Sequence, residues 1–216
     1  SLDSVFAECE KAYHRLSTEF FRGDDPVGKK LIADLESYSY LCESLIRKEH
    51  IFSINETVKD MNTEDIKYLM VGYYCGFVLQ KGMEDRLTRL ERAVSYLESF
   101  LDVLKRCEIL DKDTELQYDA YLQRQEEHTK LDAGALRNEK IRRMKLEKDC
   151  DVRLKEIHTM QERKDKGSVV DEELEREKWV LALQSCARKS LNDLNSIPQE
   201  MEILKYMQSM KEIGRA

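Results

Sequence analysis

Helix breakers are scarce in this chain. Two prolines and eight glycines punctuate 216 residues, and no alternating apolar and polar run of any length appears, so long helices are expected and strands are not. No stretch of ~18 apolar residues is present, which excludes a conventional helical membrane span, and nothing at the start reads as a signal peptide. Six cysteines (Cys9, Cys42, Cys75, Cys107, Cys150 and Cys186) form no CxxC pair, which removes local support for a tetrahedral zinc site. His14, His50, His128 and His158 lack HxxxH or Cys-His spacing, and no Gly-x-Ser-x-Gly elbow occurs. Nothing here argues for an enzyme, a metal or a cofactor.

What is present is charge laid over apolar stripes. Hydrophobic residues make up 41% and charged residues 37%, the latter well above the usual ~25%. Leu2, Val5, Phe6, Cys9, Tyr13, Leu16 and Phe20 recur at three and four, predicting a first amphipathic helix. Pro26 suits the start of a second, carrying Leu31, Leu35, Tyr38, Cys42 and Leu45. Ser53 and Glu56 have capping-box spacing for a turn or short helix, and Thr63 can cap a third helix with Ile66, Leu69, Met70, Tyr73 and Phe77. A fourth helix presents Leu87, Leu90, Val94, Leu97, Leu101 and Leu104, and a weaker fifth surrounds Leu116, Tyr118, Tyr121 and Leu122. From about Asp132 a long rod runs to Gly167, and a last helix carries Leu174, Trp179, Leu183, Cys186, Leu191, Leu204 and Met207, kinked or interrupted near Pro198. Each cysteine lies on or beside an apolar stripe, where a free thiol behaves as a small hydrophobe, and a reducing, cytosolic compartment follows.

The fold class is all-α, built of antiparallel helical hairpins. The pair 63–81 with 84–109 resembles a tetratricopeptide unit, with Gly72 where close packing wants a small residue. Residues 1–130 are expected to form a helical body, and 131–216 a long helical hairpin completing the same domain.

Two near-motifs fail on inspection. GDDPVGKK at 23–30 almost spells a phosphate-binding loop, but Lys30 stands where a hydroxyl must hold magnesium, and a helix precedes it where a strand is required. DKDTELQYDAYL at 111–122 begins like a calcium loop but puts Leu116 and Leu122 where glycine and glutamate are needed. It reads as an acidic helix start. Asn55-Glu56-Thr57 is a formal glycosylation sequon that stays bare without secretion. Trp179 reads as core.

LRNEKIRRMKLEKDC at 136–150 packs six basic residues into a chain of net charge −7. Across 137–166, 11 Lys/Arg face 7 Asp/Glu. On a helix Arg137, Lys140, Met144 and Lys148 share one face, bordered by Ile141. Mixing charge with Ile and Met suits a protein contact. Yet Glu139, Glu147, Asp149 and Asp151 are interleaved, and on spacing alone a solvated helix face is favoured. Nucleic acid is a poor partner for an acidic chain whose patch lacks aromatics, and a membrane surface would want Phe or Trp opposite the lysines.

IFSINETVKDMNTEDIKYLMVGYYCG at 51–76, RLTRLERAVSYLESFL at 86–101, RNEKIRRMKLEK at 137–148 and DEELEREKWVLALQSCARKSLNDLNSIPQEMEIL at 171–204 resemble, in order, segments of the alpha-4 family of Tap-type regulatory proteins associated with type 2A protein phosphatases. The resemblance implies a tetratricopeptide-like body with a protruding helical hairpin. It implies binding to type 2A and related phosphatase catalytic subunits, with effects on their stability, assembly and TOR-linked signalling. The family's R-x-x-K pair, needed for phosphatase binding, falls on Arg137 and Lys140, which makes the basic stretch a docking face. Met144 replaces the family's aromatic, so a contact there is more pliable. A cytoplasmic monomer is the simplest state. The competing reading is a generic helical adaptor taking peptides or helices in a concave groove lined by Tyr68, Tyr73 and Tyr74.

Overall fold

A computed structural model of the chain describes residues 1–163 and 169–215. The described residues hold eight α-helices and two 3-10 turns and no strand: α1 (Leu2–Thr18), α2 (Pro26–Lys48), α3 (Thr63–Ile66), α4 (Met70–Leu79), α5 (Arg86–Arg106), α6 (Lys112–Glu127), α7 (Ala133–Arg163) and α8 (Val169–Ile213). They divide into two compact units.

The first unit comprises Ser1–Ser53, Tyr68–Phe100 and the chain from Asp193 onward. α1 and α2 pair through the expected stripes, with Leu2, Phe6, Cys9, Ala12 and Leu16 buried on one helix and Leu35, Ser39 and Cys42 on the other. Asp25 caps α2 by accepting from the Val27 backbone N–H at 2.8 Å, and Pro26 takes the first turn. Phe20 departs from the predicted stripe: α1 stops at Thr18, and Phe20 is 90% exposed. The predicted third helix is broken by a 3-10 turn at Lys67–Leu69 before α4 begins.

α4 is buried nearly all round and packs through rings, with Tyr13–Phe77 centroids at 4.8 Å, Phe6–Tyr68 at 5.4 Å and Tyr73–Phe100 at 5.7 Å. The close approach between α4 and α5 falls at Gly76 rather than Gly72. A Cβ on Gly76 would lie 2.7 Å from Leu97 Cδ2, whereas one on Gly72 meets nothing nearer than 3.8 Å. Arg89 donates to the carbonyls of Val78 and Leu79, both at 3.1 Å, satisfying the orphaned end of α4. α8 runs through Pro198 without interruption. Gln80 holds Asp193 at 3.1 Å before the proline, and Arg86 grips Glu200 with two bonds of 2.6 and 2.9 Å after it.

The second unit comprises Ile54–Lys67 and Leu101–Asn192. A turn follows Ser53 at residues 54–55, and a capping box lies at Thr57 and Asp60: the Thr57 N–H and hydroxyl both donate to the Asp60 carboxylate, at 3.2 and 3.0 Å. Arg176 of α8 pins this segment by donating to Val58 O at 2.6 Å and Met61 O at 2.9 Å. Asn62 rather than Thr63 precedes α3, and the Thr63 hydroxyl instead donates to Glu172 at 2.8 Å. Asp111 caps α6 through the Thr114 N–H at 2.9 Å, confirming the acidic helix start. Tyr118 and Tyr121 are buried as expected, but Leu116 is exposed. α7 and α8 run antiparallel, tied by Arg143 to Asn192, Glu147 to Ser185 and Arg188, Arg153 to Glu177, and Gln161 to Glu175. The helix stop expected at Gly167 lies outside the described residues. All six cysteines are free and buried.

Candidate functional site

α7 sorts the basic block between two faces. Its start is fixed by Asp132, whose carboxylate accepts from the Ala135 N–H at 2.8 Å. From that phase, Glu139, Arg143, Cys150 and Ile157 turn inward and are buried. Arg137, Lys140, Ile141, Met144 and Lys148 all turn outward and are exposed, so the structure places every predicted docking residue on the solvent side of one helix. Ile141 is 41% and Met144 62% exposed, large apolar side chains open among cations.

Arg143, which the sequence groups with its basic neighbours, has a different job. Its guanidinium is 3% exposed and donates to Gln117 Oε1 at 2.7 Å and Asn192 Oδ1 at 2.9 Å, joining α7 to α6 and α8. Burial pulls its pKa below the ordinary arginine value. Glu139 lies between Arg124 at 3.7 Å and Arg143 at 3.8 Å.

Two of the four interleaved carboxylates behave in the same way. Glu139 is buried, and Glu147 accepts from Arg188 at 2.6 Å and Ser185 at 2.8 Å. Between Arg137 and Lys148 the outward face therefore holds Arg137, Lys140, Arg142, Lys145 and Lys148 with no exposed carboxylate of its own helix. Arg142 reaches Asp113 only at 4.0 Å, and among the described residues no ion pair engages Arg137, Lys140 or Lys148. Exposed acids return at Asp149 and Asp151. Val152, 54% exposed, extends the same face one turn beyond Lys148. The four-residue step from Lys148 was the signal for it.

The three tyrosines of the adaptor reading do not line an open groove. Tyr68 is 8%, and Tyr73 and Tyr74 are each 2% exposed, all three spent in the aromatic core of the first unit. GDDPVGKK ends the turn that follows α1 and forms the first turn of α2, with a helix and not a strand before it. Trp179 is half-buried, its Nε1–H donating to Glu175 at 2.9 Å and its ring under the Lys178 ammonium at 4.9 Å. Among the described residues, no group of three or more His, Cys, Asp or Glu could hold a metal ion, and no helix is long and apolar enough to cross a membrane.

Comparison with known proteins adds relatives to this geometry. A PP2A regulatory subunit TAP46 of Oryza sativa subsp. japonica is 28% identical over 181 residues, covering 76% of this chain and 42% of that protein. The serine/threonine-protein phosphatase 4 regulatory subunit ppfr-4 of Caenorhabditis elegans is 27% identical over 180 residues, covering 77% of this chain and 51% of its own length. The chain thus spans about half the length of the curated relatives it matches. The solved structure of the Tap42 alpha4 subunit superposes with a TM-score of 0.72 at 19% identity, covering 94% of this chain and 99% of that one, which shows a shared all-helical fold. The model of the TAP42-like family matches residues 2–216. The chain belongs to the TAP42-like family.

Proposed function

We propose that this chain is a non-catalytic regulator that binds the catalytic subunit of a type 2A-like serine/threonine phosphatase through the outward face of α7. The observation that carries this reading is the removal of Glu139 and Glu147 from that face, which leaves Arg137, Lys140 and Lys148 uncompensated beside exposed Ile141 and Met144. A solvated helix face keeps its mixed charges. Between Arg137 and Lys148 this one is of a single sign and carries apolar side chains that an acidic partner surface could bury. Relatives named as regulatory subunits of PP2A and of phosphatase 4 support the choice of partner.

The positive face steers an acidic partner, Ile141 and Met144 supply burial, and Arg137 can hold a carboxylate by two bonds. Lys140 acts nearer the rim, on association more than residence. The proposed consequence is control of the catalytic subunit's stability or assembly in TOR-linked cytoplasmic signalling, with the chain acting as a monomer and without nucleic acid or membrane. The test is capture of a purified type 2A catalytic subunit by the wild-type chain and by Arg137→Glu/Lys140→Asp. Loss of capture in a mutant with unchanged helicity supports the reading. Equal capture moves the interface elsewhere, and no capture by wild type refutes the partner.

A further inference from the structure

The first unit has a second feature that the α7 face does not use. A cleft of about 630 Å³ opens between the α1–α2 turn and the α4–α5 turn. Buried Leu16 and half-buried Ile32 give it an apolar floor, and Phe20 and Met83, 90% and 72% exposed, stand at its rim. Phe20 sits there because α1 ends two residues earlier, which frees a large ring from the core stripe.

The charges around the cleft are unbalanced. Glu19 is taken by Arg15 at 2.7 Å and Glu36 by Arg89 at 3.2 Å. Arg22, Lys29 and Lys81 also line the cleft, are exposed, and make no ion pair among the described residues, against Glu84 as the remaining unpaired carboxylate of the lining. The Lys81 ammonium rests 4.8 Å from the Phe77 ring centroid, which holds the charge near the opening. In a chain of net charge −7 this is a local positive lining over an apolar pocket.

The ligand chemistry follows from what the cleft has and has not. The start of α2 is a poor phosphate site, because the Asp25 carboxylate already accepts from the Val27 N–H and puts a like charge there. Small ligands are oriented by a few fixed, convergent polar groups. Here the charges ride on long exposed side chains, which read sign but not shape. A single-stranded nucleic acid wants successive aromatic platforms, and the rim offers one fully exposed ring. A pocket of this size takes one large side chain and its neighbours. We propose that this cleft docks an acidic peptide segment of a partner protein, with one bulky apolar side chain on the floor beside Phe20 and Met83 and flanking carboxylates meeting Arg22, Lys29 and Lys81.

The proposal is independent of the phosphatase reading, and its test keeps the two apart. The probe is a fluorescein-labelled peptide of four glutamates, a central phenylalanine and four more glutamates, titrated with the full chain and followed by anisotropy. Saturable binding is expected, weakened about tenfold by Lys29→Glu/Lys81→Glu and by Phe20→Ser, side chains exposed enough to change without unfolding. Replacing the central phenylalanine by glycine, or the glutamates by glutamines, is expected to weaken it as much. Arg137→Glu/Lys140→Asp is expected to leave it unchanged. Any one of three results overturns the proposal: no saturation below ~1 mM, equal affinity for the glutamine peptide, or loss of binding in the α7 variant alone. Tighter binding of an oligothymidylate that the same cleft substitutions abolish would reassign the site to nucleic acid.

Discussion

Two arginines six residues apart show how little a residue type says about its role. Arg137 is exposed and unpaired, while Arg143 is 3% exposed and bonded to Gln117 and Asn192. Removing a buried charge leaves its partners' oxygens without donors. Arg143→Ala is therefore expected to cost about 3 kcal/mol of folding stability, whereas Arg137→Ala should stay within ~0.5 kcal/mol. Urea denaturation of the two variants checks this, and equal losses would show that the block is structural throughout. The helical steps of three and four were enough to place Arg137, Lys140, Met144 and Lys148 on one face. They could not show that Glu139 and Glu147 turn away, because that depends on Arg188, Ser185 and Arg124 arriving from other helices.

Elements were legible where a stripe or a cap is local. The stripes of α1 and α5 and the acidic start of α6 are all in the sequence, whereas the break at Lys67–Leu69 and the passage of α8 through Pro198 are not. The tight α4–α5 approach is another such case. Gly76→Ala gains helix propensity but drives a methyl to within 2.7 Å of Leu97 Cδ2 on a fully buried side chain, which must shift within the core. A net loss of about 1–2 kcal/mol is expected, and Gly72→Ala should be neutral or stabilising by the same thermal melt.

The hold on α8 after Pro198 adds a pH dependence. The hydrogen bonds from Arg86 keep Glu200 below the usual carboxylate range in the folded state. A depressed folded pKa means stability that is present above the unfolded value of ~4.3 and is lost as pH falls through the folded one. Glu200→Gln should thus lower the melting temperature at pH 7 and lower it by less near pH ~3. The same drop at both pH values would contradict a charged clamp.

At the scale of the molecule, net charge misleads. A chain of net −7 presents a positive face because carboxylates are drawn inward beneath it, and electrostatic steering responds to the local field. The all-helical class was legible from the scarcity of proline and glycine, and the family from four motifs in order. The cleft was not, since it brings Phe20 and Lys29 to Lys81 and Met83 across turns about sixty residues apart in sequence.

The central claim is that α7 docks a phosphatase by one specific face and not by positive charge in general. The most direct measurement is the dissociation constant for a purified type 2A catalytic subunit, taken for the wild type, for Arg137→Glu/Lys140→Asp and for Lys48→Glu/Lys211→Glu, an equal charge reversal at exposed sites elsewhere. The account predicts a loss of roughly 100-fold or more in the first variant and less than ~3-fold in the second. Equal losses in both, or none in the first, would contradict it.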